Sequence, residues 1–285
     1  MTRKVSILDI QKRKDDGVPI TMVTAYDFTA ASLIDQTDID MILVGDSLGM
    51  VMLGYESTVS VTMDEMIHHA KAVARGAKRP FLVGDLPFMS YVDTADALRN
   101  AGRHLKEGGM HAVKLEGGRE VALTVEVLVQ AGIPVMGHIG LTPQRISKLG
   151  GFKVQGQTAA DAERLLEDAL ALQEAGCFSI VLEAVPAKIA EKISYALSIP
   201  TVGIGAGAGC DGQVLVYQDM LGMSEKYLPR FVKRYAEIGD ITINAMQQYV
   251  NDVQNRTFPA DEHTYKIKRV ELDAFLEKFG IFVEE

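Results

Sequence analysis

The chain has 285 residues, 47% of them hydrophobic, and a formal net charge of −9 from 29 Lys and Arg against 38 Asp and Glu. That length and apolar content suit a large globular core and exclude a disordered chain, and an acidic chain with scattered cations makes a poor nucleic-acid binder. No apolar run reaches the roughly 18 residues needed to span a bilayer, and residues 1–14 lack the apolar centre of a signal peptide, so a cytoplasmic protein with no membrane partner is expected.

Residues 1–17 predict a helix, with Ile7, Leu8 and Ile10 apolar among Lys and Arg. Residues 20–24 predict a first strand ending at Ala25-Tyr26-Asp27, and residues 28–36 a helix. A second strand over 41–44 runs through Gly45 into Asp46 and Ser47. After a long loop over 48–61, Thr62-Met63-Asp64-Glu65 forms a capping box, opening a helix that Gly76 ends. Residues 81–84 run as a strand into Asp85. A helix over 94–107 stops at Gly108-Gly109, before a strand over 112–115 that carries Lys114 and runs into Glu116. A helix over 120–130 stops at Ala131-Gly132, before 133–136 leads through Gly137 into His138. A second long connection, 140–157, holds a glycine-rich stretch at 150–156 and reads, like the first, as a candidate lid. A helix over 158–174 stops at Ala175-Gly176, before a strand over 178–182 runs into Glu183. A helix over 186–197 leads to a strand over 201–204, and 213–217 predicts a weaker eighth. Two further helices are expected over 224–262. Phe275, Leu276, Phe279 and Phe282 at helical spacing predict an amphipathic helix over 270–282, docking on the barrel or on a neighbouring subunit.

Strands alternating with helices across short loops predict a parallel sheet. Eight such units predict an α/β fold, a (β/α)8 TIM barrel, with a doubly wound open sheet as the alternative. In such folds chemistry sits at the carboxyl ends of the strands. Five strand-like runs end in ionisable residues there, which favours an enzyme.

Asp46 and Asp85 end neighbouring strands, and two facing carboxylates repel unless a cation or proton lies between them. Glu116 ends the next strand and completes the group. Oxygen ligands without a Cys or His cluster suit a hard ion, Mg2+ above all. Such an ion takes an α-keto acid through a carboxylate and the keto oxygen, acidifies the adjacent C–H and stabilises an enolate. Lys114 shares a strand face with Glu116 and adds positive charge beside the substrate's anionic oxygens; an ion pair among Lys114, Asp85 and Glu116 is the structural alternative. Glu183, ending an apolar strand where burial raises a carboxyl pKa, is the candidate base, and His138 a candidate bond to a substrate oxygen. Cys177 and Cys210 have no metal-ligand spacing. Gly207, Gly209 and Gly212 fit G-x-G-x-x-G, but late in the chain and without a following βαβ unit, so they read as a glycine-lined wall.

These residues carry a resemblance. Thr24-Ala25-Tyr26-Asp27, Val44-Gly45-Asp46-Ser47-Leu48-Gly49, Gly84-Asp85-Leu86-Pro87-Phe88-Met89, Val113-Lys114-Leu115-Glu116-Gly117-Gly118 and Gly137-His138-Ile139-Gly140-Leu141-Thr142-Pro143-Gln144 resemble, in order, the motifs of the ketopantoate hydroxymethyltransferase family, as do residues 150–156, Leu182-Glu183 and Gly203-Ile204-Gly205-Ala206-Gly207. The resemblance runs from about residue 6 to residue 263. It implies a barrel of the phosphoenolpyruvate/pyruvate superfamily and a class II aldolase-like one-carbon transferase of pantothenate and coenzyme A biosynthesis. The implied reaction moves a hydroxymethyl group from 5,10-methylenetetrahydrofolate to 3-methyl-2-oxobutanoate, giving 2-dehydropantoate and tetrahydrofolate. Asp46, Asp85 and Glu116 match the positions for Mg2+ or another divalent ion, the last through water. Ser47 and Lys114 match α-keto acid contacts, with Asp46 and Asp85 also against that substrate; Glu183 matches the proton acceptor and His138 a substrate-pocket residue. The resemblance also implies a large homo-oligomer, commonly a decamer. Family members often end near the segment matching residues 262–265, so a single barrel domain over 1–265 and a helical extension over 266–285 are expected. A Mg2+-dependent C–C lyase of the same superfamily is the alternative; such lyases carry a Lys-Lys-Cys-Gly-His-type loop where this chain has His138-Ile139-Gly140-Leu141. A non-catalytic metabolite-binding barrel is a second rival, opposed by the presence of every candidate acid and Lys114.

Overall fold

A computed structural model describes residues 3–145, 153–223 and 229–280. Helix α1 (Ile7–Asp15) opens the chain, capped by Ser6 and Asp9 in a reciprocal box. Then follow β1 (Ile20–Thr24), α2 (Phe28–Ile34), β2 (Met41–Val44), a short α3 (Leu48–Val51), α4 (Met63–Gly76) and β3 (Phe81–Asp85). Next come α5 (Thr94–Lys106), β4 (Ala112–Glu116), α6 (Ala122–Gln130), β5 (Val135–Gly140), α7 (Ala159–Glu174), β6 (Ser179–Glu183) and α8 (Ala187–Ala196). Strands β7 (Thr201–Ile204) and β8 (Gly212–Leu215) complete the sheet, followed by α9 (Tyr217–Met220), α10 (Ile238–Gln254) and α11 (Arg269–Phe279).

The strands pair in parallel in chain order, and β8 returns to β1 with Ile20 opposite Gly212. The sheet is therefore a closed barrel, and the open-sheet alternative falls. The expected capping box at Thr62 and Glu65 is present. One boundary differs from expectation in a consistent way. Asp85, Glu116, His138 and Glu183 lie inside their strands, because each keeps a ladder partner: Asp85 opposite Lys114, Glu116 opposite His138, Glu183 opposite Gly140. The expected loop over 48–61 holds α3 and a 3-10 turn at Thr58–Ser60. Residues 146–152 and 224–228, parts of the expected second lid and of the first C-terminal helix, lie outside the described residues, as do the first two residues and Phe282.

The barrel interior is filled by every second strand residue. Phe81 and Val83 on β3, Ala112 on β4, Met136 on β5 and Val181 on β6 belong to one buried apolar cluster. Counting on by two along the same strands reaches Asp85, Lys114, Glu116, His138 and Glu183, so the alternation that fills the core delivers the polar groups to the barrel mouth. Ile10 of α1 joins that cluster with no exposed surface. The helix is fastened where strands begin: Arg13 to Asp40 (2.5 Å), Lys14 to Asp211 (2.8 Å), and the Val5 N–H to the Arg79 carbonyl (2.9 Å).

Two compact units divide the chain, Met1–Ala236 and Glu237–Glu285, so the expected boundary at 265/266 falls within the second. In that unit no described residue is buried; Phe258 stacks edge-on with Tyr249 at 5.8 Å. Among the described residues no helix is long and apolar enough to cross a membrane.

Ile10 is fully buried and Leu8, two residues earlier on the same helix, is 75% exposed. Ile10→Ala is expected to cost about 2–5 kcal/mol in urea unfolding, and Leu8→Ala no more than about 0.5 kcal/mol. Equal losses would mean that α1 does not fill the barrel end.

Candidate active site

At the carboxyl end of the barrel, β3 to β6 bring together Asp85, Lys114, Glu116, His138 and Glu183, and the turn after β2 adds Asp46 and Ser47, the latter at the N-terminal boundary of α3. Lys114 sits at the centre. Its ammonium lies 2.9 Å from Asp85 Oδ1 and 3.2 Å from His138 Nδ1. The cross-strand register explains the first contact, since Asp85 and Lys114 are direct ladder partners. Burial would strip the Lys114 charge, but Asp85, Glu116 and Asp46 outweigh it and hold the ammonium protonated, its pKa raised.

An ammonium facing Nδ1 requires that nitrogen to accept, so the imidazole proton sits on Nε2. Nε2 lies 3.1 Å from Glu183 Oε2, off the line of a hydrogen bond. Burial, then the Lys114 charge, push the His138 pKa well below its usual value, and the ring is neutral. Glu183 is the least covered of the acids, with 16% of its side chain exposed. Burial pushes its carboxyl up to about 7, with Lys114 opposing.

Asp46 and Asp85 meet through the Asp46 main-chain N–H, which donates to Asp85 Oδ2 at 3.0 Å. Burial and the Asp85 charge push Asp46 up to about 7. Glu116 rises well above its usual value by burial and the Asp46 charge; its Oε2 accepts the Gln144 main-chain N–H at 3.1 Å. Ser47 Oγ lies 2.8 Å from the Tyr26 hydroxyl. A Cβ at Gly45 would stand 3.0 Å from Ser47 Oγ and 3.3 Å from Asp85 Oδ2, so the glycine leaves a cradle between hydroxyl and carboxylate.

Among the described residues no three His, Cys, Asp or Glu side chains gather as a metal cluster. Mg2+ is commonly held by only one or two carboxylates, the rest of its shell being water and substrate oxygens. Two buried, mutually repelling carboxylates beside an open cradle fit that ion.

Three supporting residues were not singled out by sequence. Gln144 links Asp46, Leu86, Glu116 and Tyr91 through its amide and main chain. His104 on α5 gives its Nε2 to the Asp85 carbonyl at 2.7 Å and lies over Gly84, where a Cβ would meet its ring at 2.4 Å. Tyr91 sits on the loop after β3. A glycine inside an apolar strand signals such an approach, and Gly84 marks the place of His104 in the sequence, while Gln144 appears there only as the last residue of a motif.

The backbone positions Glu183. Leu141 N–H donates to the Glu183 carbonyl at 2.8 Å, and Ala184 follows in the left-handed region at φ 48°. Gly140, at φ 95°, allows the approach: a Cβ there would stand 2.2 Å from the Glu183 carbonyl oxygen.

Comparison with known proteins gives a consistent result. The family model described as ketopantoate hydroxymethyltransferase matches residues 4–261. A 3-methyl-2-oxobutanoate hydroxymethyltransferase of Clostridium novyi (strain NT) is 57% identical over 271 residues, 95% of this chain and 98% of the relative. One of Syntrophus aciditrophicus (strain SB) is 56% identical over 264 residues, 92% and 97% of the two chains. Among solved structures, a phosphonopyruvate hydrolase in complex with oxalate and Mg++ aligns with a TM-score of 0.60 at 12% identity, covering 97% of this chain and 98% of that one. A phosphoenolpyruvate phosphomutase from Streptomyces platensis subsp. rosaceus aligns at 0.57 and 17%, covering 96% and 99%. At such identities the structures speak for the fold.

Gly132 also has a positive φ, of 83°, but open space where a Cβ would go. Gly132→Ala should therefore cost only the left-handed penalty, about 1–2 kcal/mol, and Gly140→Ala about 1–3 kcal/mol more from overpacking on Glu183. Urea unfolding of both variants reads the difference; its absence would mean that Gly140 is not pressed against Glu183.

Proposed function

This chain belongs to the ketopantoate hydroxymethyltransferase family and is an enzyme of the transferase class, and from that premise we propose that it moves a hydroxymethyl group from 5,10-methylenetetrahydrofolate to 3-methyl-2-oxobutanoate, giving 2-dehydropantoate for pantothenate synthesis. The observation that carries this reading is the set of four acids around Lys114, of which the most open, Glu183, has a carboxyl raised to about 7. A poised base beside a fixed ammonium suits removal of a proton next to a carbonyl.

Asp46 and Asp85 would hold Mg2+ or a similar ion, with Glu116 beside them through water. The ion would polarise the keto oxygen of the oxo acid and acidify its C3–H. Ser47 and Lys114 hold the substrate's anionic oxygens, and His138 donates from Nε2 toward the pocket. Glu183 takes the C3 proton. Water releases the one-carbon unit from both folate nitrogens as formaldehyde, tetrahydrofolate leaving. The tertiary C3 carbanion attacks it, the new alkoxide takes the proton back from Glu183, and a quaternary centre results, so close positioning of both substrates matters. A homo-oligomer, a decamer by family resemblance, belongs to the same reading.

The decisive experiment follows the C3 proton of 3-methyl-2-oxobutanoate by NMR in D2O with Mg2+ and no folate. Exchange is expected, to be lost with EDTA and lowered about 10²–10⁴-fold in Glu183→Gln. Methylenetetrahydrofolate added afterwards should convert the oxo acid to 2-dehydropantoate; cleavage of an oxo acid instead would point to a lyase. Strong exchange in Glu183→Gln would remove Glu183 as the base. Because the base works as a carboxylate and burial lifts its pKa to about 7, exchange at saturating metal should fall about tenfold per unit below that pH. A rate flat down to pH 5 would contradict this.

A further inference from the structure

Both ends of the Gln144 amide are engaged. Its amide nitrogen reaches Asp46 Oδ2 at 2.8 Å and the Leu86 carbonyl at 3.0 Å, and its Oε1 accepts the Tyr91 hydroxyl at 2.6 Å. A carboxylate oxygen and a main-chain carbonyl only accept, so both must face the two amide hydrogens. The amide can then stand in one sense alone, and the Tyr91 hydroxyl, which lies 3.3 Å from the Glu116 carbonyl, closes the remaining position. Its main-chain N–H meanwhile fixes Glu116. One residue from the loop after β5 thus ties the ends of β2, β3 and β4. Among the described residues its amide is also the hydrogen-bond partner of the Asp46 carboxylate, occupying one oxygen of the two.

We propose that Gln144 is a positioning residue for the divalent ion: it clamps Asp46 by one oxygen and leaves the other to the ion, and Tyr91 anchors the far side of the clamp by donating to the amide oxygen. This rests on the reading of Asp46 and Asp85 as the ion's seat. Supporting residues one bond behind a metal ligand are typically worth about 10–100-fold in affinity.

The test is Mn2+ binding to the full-length chain, followed by EPR, with C3-proton exchange of 3-methyl-2-oxobutanoate measured beside it. Gln144→Met, of similar length but without hydrogen bonds, should weaken Mn2+ at least about tenfold and raise the metal concentration needed for half-maximal exchange in the same proportion. Tyr91→Phe, which keeps the amide but removes the hydrogen bond that anchors its oxygen, should weaken Mn2+ about threefold, inside the range for one neutral hydrogen bond. Should Gln144→Met fail to fold by circular dichroism, Tyr91→Phe decides alone. Mn2+ affinities within twofold of the parent, or a loss of exchange rate at unchanged affinity, would overturn the proposal. A parent protein that neither binds Mn2+ nor exchanges the proton would overturn the functional reading itself, and the proposal with it.

Discussion

A single ammonium stands against four carboxylates in the mouth of this barrel. Two like charges about 4 Å apart cost about 4 kcal/mol even at an effective dielectric of 20. Lys114 neutralises one acid, and His138 contributes no charge because burial, and then the same ammonium, suppress its protonation. The excess must be met by protons or by an added cation. Asp46 and Glu116 record that pressure in their raised pKa values, after burial as the first cause, while Glu183 is raised by burial alone. The rest of the molecule can be understood as the frame that keeps these groups from separating: a closed sheet whose ladders lock Asp85 to Lys114 and Glu116 to His138.

The core and the site share one construction rule. Along β3 to β6 the inward positions are apolar where the barrel is dry and ionisable where it opens, with no change of period between them. Reactive groups on strands are held more rigidly than groups on loops. The exceptions are Asp46 and Ser47, beyond the end of β2; the Gln144 amide steadies the first and a phenol hydroxyl the second.

This rule is why so much could be read from the sequence. Apolar runs ending in Asp46, Asp85, Glu116, His138 and Glu183 are local patterns, and the ordered glycine punctuation gave the strand–helix count of the barrel. Strand ends were set short, because an ionisable residue ends an apolar run but need not end a ladder. Gln144 and Tyr91 escaped because their roles exist only through contacts 98 and 53 residues away in the chain. A glutamine in a loop and a tyrosine in another loop carry no periodic mark. His104 is a similar case, a helix residue whose importance lies wholly in what passes beneath it.

Barrel closure has a consequence for how the chain is made. Strand β1 finds its last partner only when Gly212 has been synthesised, 192 residues after Ile20 (212 − 20). At about 5–20 residues per second, that is on the order of 10–40 s on the ribosome. During that interval the Ile20–Thr24 edge and the Lys14 ammonium, which belongs with Asp211, both lack their mates. Among the described residues the finished sheet has no edge for a stranger to join; the nascent one carries a row of unpaired N–H and C=O groups until its last strand arrives.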